Sequence, residues 1–306
     1  MSRRRSGKMM TKLAYTPYDG SSTPFTIGLQ QLDADRWIEP DDELAERLAE
    51  RNRLLAEHGE RVFRAEPGTE AAQQEVLDLL AAYLPDRHAH IYHRHRDLMR
   101  MAGHEVDLAD PAIPPLQRAA LLVQDDLVLM RKGENGWRLA AAFLAFPSSW
   151  RLADKFGLSL DDVHSPVPGF DGGSRNAGLI SRMFDNLSPD RFVVRWNWSV
   201  NWRHAFFHPT PSLPEDVERA APTDGVIRIE RQTLRKLPVS GDILFTIRIY
   251  LDPLAAILAR PNGADLALAM ADQLEAMTPQ EAEYKGLLAK RAELVSWLRT
   301  AKPGSR

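Results

Sequence analysis

The chain has 306 residues, 44% hydrophobic and 26% charged, with a formal net charge of −3. This is the composition of a folded protein with one large domain or two modest ones, and its balanced charge gives no sign of a nucleic-acid or membrane partner. It contains no cysteine, which excludes disulfides, thiolate zinc sites, a cysteine nucleophile, thiolate-held iron–sulfur clusters and thiolate-ligated or covalently attached c-type heme.

Any redox metal must therefore be held by His, Tyr, Met or a carboxylate. No apolar run approaches the roughly 20 residues of a membrane helix. The start, MSRRRSGKMMTKLAY, is basic but is followed by no apolar stretch, so it does not read as a secretory signal and a cytoplasmic location is expected. Residues 1–20 read as a disordered basic tail.

A helical region over 21–115 follows. DDELAERLAERNRLLAEHG places Leu44, Leu48, Leu54 and Leu55 on one helical face and stops at Gly59. TEAAQQEVLDLLAAYLP is a second helix, with Thr69 as cap and Pro85 as end. In the next stretch, DRHAHIYHRHRD, four histidines (His88, His90, His93 and His95) fall within eight residues. Metal ligands sharing a helix face need i,i+3 or i,i+4 spacing. Only His90 and His93 have it, and Arg87, Arg94, Arg96 and Arg100 oppose a cation. A solvated basic helix face is the expectation. A proline-rich loop, DLADPAIPP, closes this region.

LQRAALLVQ reads as a short helix, and then the pattern changes to strands. DLVLMRK and WRLAAAFLAF flank the hairpin turn GENG. PSSWRLADKFG reads as a short helix capped by Ser148 or Ser149 and ended by Gly157, SLDDVH as another turn, and GGSRNAGLISRMFDNL as a longer helix. Three strands come next: RFVVRWNWSV, GVIRIERQTLRKL and DILFTIRIYL. The chain ends in PLAAILAR, GADLALAMADQLEAM and TPQEAEYKGLLAKRAELVSWLRT, all read as helices.

The order implies an α+β fold: a PAS-like five-stranded antiparallel sheet with a helical crossover over 116–252, flanked by the N-terminal helices and by C-terminal helices over 253–306. Ligands of such a sheet sit between it and the crossover helices. Fold-level analogy leaves the chemistry open.

Two features could carry chemistry. His164 lies at the end of a helical turn followed by two prolines, so its backbone is stiff. It can be an iron ligand or an ordinary helix-terminal histidine. The strands are dense in polar residues. Alternation groups Arg228, Glu230 and Gln232 on one face and Arg231, Thr233 and Arg235 on the other; it also groups Thr246 with Arg248, and Arg195 with Asn197. These are either the wet side of the sheet or a polar pocket. No P-loop, GxGxxG, HExxH or GxSxG pattern is present.

Four separated blocks, LVQDDLVLM, FPSSWRLADKFGLSLDDVHSPVPGF, RWNWS and RIERQTLRKLPVSGDILFTIRIYLDPL, resemble the heme-dependent oxidative N-demethylases, typified by the heme-binding α subunit of dimethylamine monooxygenase. The similarity extends from PFTIGLQQLDADRWIEPDD to the last strand. It departs mildly at Asp125, where relatives more often carry Glu, and at Ala145, where they often carry Cys.

The resemblance implies heme b in a PAS fold. The implied reaction oxidises a small secondary amine such as dimethylamine with O2, drawing electrons from NADPH through FMN and [2Fe–2S] on a partner reductase subunit. A chain without cysteine cannot hold that cluster itself. The resemblance also implies His164 as the iron ligand and Glu230 as the holder of the substrate ammonium. Arg231 and Arg248 are expected at heme propionates or bound oxygen, and Gln232, Thr246 and Asn197 as hydrogen-bonding groups of the pocket. A non-catalytic heme-binding PAS sensor or carrier is the alternative reading, and a heme-free homologue a third.

Overall fold

Strand pairing sets the architecture. A computed structural model describes residues 13–211 and 214–301. Near the N-terminus lie β1 (Gln30–Leu32), α1 (Leu44–His58), β2 (Phe63–Ala65) and α2 (Glu70–Arg87). β3 (Tyr92–His95), β4 (Leu98–Met101) and β5 (His104–Asp107) form a small antiparallel sheet of their own. After α3 (Pro115–Ala120) come the hairpin strands β6 (Asp126–Gly133) and β7 (Gly136–Phe143). The crossover consists of α4 (Leu152–Lys155), α5 (Leu160–His164) and α6 (Arg175–Asn186). β8 (Phe192–Asn201), α7 (Pro214–Arg219), β9 (Val226–Lys236) and β10 (Ile243–Pro253) follow, and α8 (Gly263–Ala276), α9 (Pro279–Tyr284) and α10 (Arg291–Thr300) complete the described chain.

The main sheet is antiparallel and seven-stranded, in the order β1-β8-β9-β10-β6-β7-β2. The five strands read from the sequence are its contiguous centre. Two short strands from the N-terminal region, β1 and β2, cover the edges, which would otherwise expose unpaired backbone. One sheet face carries the crossover helices. The other is closed by the segment before α1 and by the C-terminal helices, whose apolar faces make a second core with Trp198, Ile227 and Ile229. Two carboxylates stiffen the frame. Buried Asp126 accepts the backbone N–H groups of Ala145 (2.8 Å) and Phe146 (2.9 Å) and pairs with buried Arg51 at 2.9 Å. Asp242 receives a two-pronged pair from Arg131.

Several expectations are corrected. The loose-tail reading fails over residues 13–20, where Leu13 and Tyr18 are buried in the second core; residues 1–12 lie outside the described residues, as do 302–306. The region 21–115 is not purely helical, since it contributes five strands. The histidine cluster is not helical: half-buried His88 caps α2, and the exposed His93 and His95 lie on β3. α2 runs through Pro85 to Arg87. Proline frees the carbonyl four residues back, that of Ala81, and Arg94 donates to it at 3.3 Å.

Neither Ser148 nor Ser149 caps α4. Arg151 occupies that position, Ser148 bridges His208, and Ser149 has φ +58°. PLAAILAR forms a 3-10 helix over Leu254–Ala259. The long final helix is two helices, broken at Gly286 with φ +67°.

Candidate functional site

The crossover and the sheet enclose a cavity. Its helical wall is built from α5 and α6, with Leu160, Val163, His164, Ile180 and Met183. Its sheet wall is apolar over β6 and β10, through Val128, Met130, Phe245 and Ile247, and polar over β8 and β9, through Arg195, Asn197, Glu230 and Gln232. Lys155 and Lys285 stand at the polar side, and Phe25, Ile27 and Leu29 from the lead-in to β1 complete the lining.

His164 is positioned by local chemistry. Ser159 caps α5 by accepting the Asp162 N–H, and the chain before it pairs with β7 through Leu139 and Leu158. After His164 the backbone turns twice, Val167 N–H to the His164 carbonyl and Phe170 N–H to the Val167 carbonyl. Gly169 takes φ +77° at the end of the PVPG run. The imidazole Nδ1 lies 2.8 Å from the Leu160 carbonyl. A carbonyl only accepts, so Nδ1 carries the proton and Nε2 keeps its lone pair. Burial holds the pKa of His164 below the ordinary histidine value, which favours the neutral ring.

The polar corner is a connected network. Gln232 Nε2 donates to Glu230 Oε2 at 2.9 Å, and Asn197 Nδ2 donates to the same oxygen at 3.3 Å. Lys285 Nζ donates to Asn197 Oδ1 at 3.0 Å and to the Trp198 carbonyl at 2.5 Å. Arg228 Nε lies 3.6 Å from Glu230 Oε1, an ion pair without a direct hydrogen bond. Burial lowers the pKa of Lys285 to about 8, Glu230 opposing the shift, and burial also lowers that of Lys155. Arg195 donates to the Thr26 carbonyl at 3.2 Å, while its Nε is buried with no partner among the described residues.

The structure thus brings His164, Glu230, Gln232 and Asn197 together and leaves Arg231, Arg248 and Thr246 on the opposite face of the sheet. Arg231 donates to the backbone carbonyls of Trp37 and Arg36; Arg248 pairs with Asp41 at 2.6 Å; Thr246 and Thr233 share a hydrogen bond at 2.7 Å. Alternation within β9 already sets Arg231 opposite Glu230 and Gln232; for Arg248 and Thr246 register is the reason. Glu230 pairs with Ile249, and Gln232 with Ile247, so even-numbered residues of β9 share a face with odd-numbered residues of β10. Alternation within a strand does not reveal that offset.

Sequence reasoning passed over Lys155 and Lys285 as pocket residues and gave Arg195 no role. Arg195 was legible through its shared face with Asn197. Nothing local marks Lys285, which reaches the cavity only because its helix ends there.

A family model for proteins described as haem-dependent oxidative N-demethylase, alpha subunit-like, matches residues 28–295. The chain belongs to this family. Family membership carries dependence on heme and an oxidative N-demethylase character, and the cavity can be tested against that cofactor. A free imidazole Nε2, apolar walls for a macrocycle, and the cations Arg195 and Lys155 for its carboxylates form a donor set that fits heme. The exposed histidines of β3 offer neither enclosure nor apolar walls. Among the described residues, no helix is long and apolar enough to cross a membrane.

Proposed function

We propose that this chain is the heme-binding catalytic subunit of a monooxygenase that removes a methyl group from a small secondary amine of the dimethylamine type. The observation that carries the reading is the pairing, in one cavity, of a neutral imidazole from the helical wall with a carboxylate from the sheet wall. The five central strands, in the spatial order β7-β6-β10-β9-β8 with α4–α6 in the crossover, support a PAS-like core.

His164 Nε2 would ligate the iron, and Leu160 would hold the ring in the required tautomer. Arg195 and Lys155 would face the propionates. Glu230 would accept an N–H of the substrate ammonium, because a cation leaving water needs a carboxylate partner. Gln232 and Asn197 hold that carboxylate by Oε2, while Oε1, with Arg228 Nε 3.6 Å away, would take the amine N–H as well. The apolar residues of β6 and β10 would exclude water from the methyl group. When bound, heme supplies the redox chemistry that inserts one oxygen atom of O2 into a methyl C–H bond. The carbinolamine then releases formaldehyde and the primary amine; the other oxygen atom leaves as water, with NADPH as the two-electron donor through FMN and [2Fe–2S] on a reductase partner.

The test is an absorption spectrum of purified protein with heme added, titrated with dimethylamine, followed by an assay of formaldehyde release with NADPH and a flavin/iron–sulfur reductase. A Soret band that moves with amine, and formaldehyde in step with NADPH, are expected. A Soret band indifferent to amine, with no formaldehyde, would instead support a heme sensor or carrier. No band under any condition would leave a heme-free homologue.

A further inference from the structure

Asn197 is held from two sides by groups of opposite hydrogen-bonding capacity. An ammonium only donates, so Lys285 can meet the amide only at Oδ1; a carboxylate only accepts, so Glu230 can meet it only at Nδ2. The distances, 3.0 Å and 3.3 Å, satisfy both. Rotated by half a turn, the amide would set Nδ2 against the ammonium and Oδ1 against the carboxylate, two repulsive contacts in a partly buried corner. Lys285 is itself well placed to impose one orientation. Its second hydrogen bond goes to the Trp198 carbonyl of the neighbouring strand residue, and its ammonium lies 5.1 Å from the Phe25 ring and 5.7 Å from the Trp198 ring. The short helix that it closes is pinned at its start by the reciprocal Thr278–Glu281 cap and ends at Tyr284, just before the turn at Gly286.

We propose that Lys285 is a positioning residue for substrate binding: by locking the Asn197 amide it keeps Glu230 Oε2 engaged and leaves Oε1 as the acceptor for the amine. The inference rests on the reading of Glu230 as the ammonium partner. Lys285 does not touch the substrate in this arrangement. It acts through Asn197, so the effects of losing either should overlap rather than add.

The experiment measures the affinity of dimethylammonium for heme-loaded protein, by the Soret shift and by calorimetry, with heme content and thermal midpoint recorded for every variant. Lys285→Met should bind the amine about tenfold more weakly, and Lys285→Arg, which restores a donor, should recover to within about threefold of wild type. Asn197→Leu should match Lys285→Met, and the double variant should be no weaker than either single one. Lys285→Leu takes the place of Lys285→Met if the latter does not retain heme. Unchanged affinity in Lys285→Met, or a double variant whose loss is the product of the single losses, would overturn the positioning role. Glu230→Gln separates the two readings: if it binds amine like wild type, Glu230 is not the ammonium partner. If it abolishes binding while Lys285→Met does nothing, only the inference about Lys285 fails.

Discussion

His164 shows how much one side chain owes to its immediate neighbours. Nothing in the residue type separates it from the eight other histidines. What separates it is a backbone carbonyl 2.8 Å from Nδ1, which leaves Nε2 as the free lone pair, and burial, which depresses its pKa. A depressed histidine pKa means that the folded state resists the proton. Ligand capacity should therefore persist as pH falls from 7 through about 6.5, where a free imidazole is half protonated. His88 also touches a carbonyl, that of Ile38, but by Nε2, between Tyr83 and Tyr92 and away from the cavity. His164→Ala should retain less than about a tenth of the heme bound by wild type, since the proposed iron ligand is lost. His93→Ala, on an exposed strand, should retain it all. The ratio of Soret to protein absorbance after reconstitution checks this, and equal heme in the two variants would remove His164 from the role.

At the scale of elements, the break between α9 and α10 matters more than its length suggests. Periodicity across TPQEAEYKGLLAKRAELVSWLRT supports one long helix, and the single glycine is easily passed over as a tolerated interior residue. Gly286 instead takes φ +67°, a conformation that L-residues adopt only at a cost. A Cβ there would meet nothing within 4 Å, so the cost is conformational alone. Gly286→Ala should lower stability by about 1 kcal/mol, or a shift of about 2 °C in thermal midpoint. It should also weaken amine binding if the chain relieves the strain by extending α9 and moving Lys285. Chemical denaturation measures the first effect, and an unchanged midpoint would argue against strain at this turn. The β9–β10 pair makes a related point. Each strand's alternation is visible in its residues, but the register that joins Glu230 to Ile249 belongs to the pair.

The whole molecule sets two polar systems on opposite faces of one sheet. The cavity side holds Glu230 and its amide donors. The other side buries Arg231 and Arg248 beside Asp125, with Glu39 and Asp41 at the margin. Asp125 is the expensive member, because neither of its carboxylate oxygens accepts a hydrogen bond from the described residues. Burial raises its pKa to about 6; Arg248, Arg231 and Arg51 oppose that shift and Glu39 adds to it. The folded state thus holds a proton between about pH 4 and pH 6 that the unfolded chain has released. Stability attributable to Asp125 is highest below that window, falls as pH rises through it, and stays low above. Asp125→Asn should flatten this part of the stability profile and gain on the order of 2–3 kcal/mol at pH 8. Asp252, also pushed up to about 6 by burial, should keep a residual slope in the same window. Urea unfolding from pH 4.5 to 8 decides it, and identical slopes for variant and wild type would refute the assignment.

The residues alone determined the absence of thiolate chemistry, the succession of two strands, crossover and three strands, the turn that stiffens His164, and the family. All are local or cumulative properties: composition, periodicity, turn chemistry, and motifs spread along one chain. Tertiary structure decided which polar side chains share the cavity. Arg248 and Thr246 fell on the wrong face because strand register is a property of paired strands, whereas alternation within β9 had already set Arg231 opposite Glu230. β1 and β2 were unseen because three-residue strands carry no period and exist only where an edge awaits them. Lys285 reaches Asn197 across 88 positions of sequence, and no local signal can announce a contact that the fold alone creates.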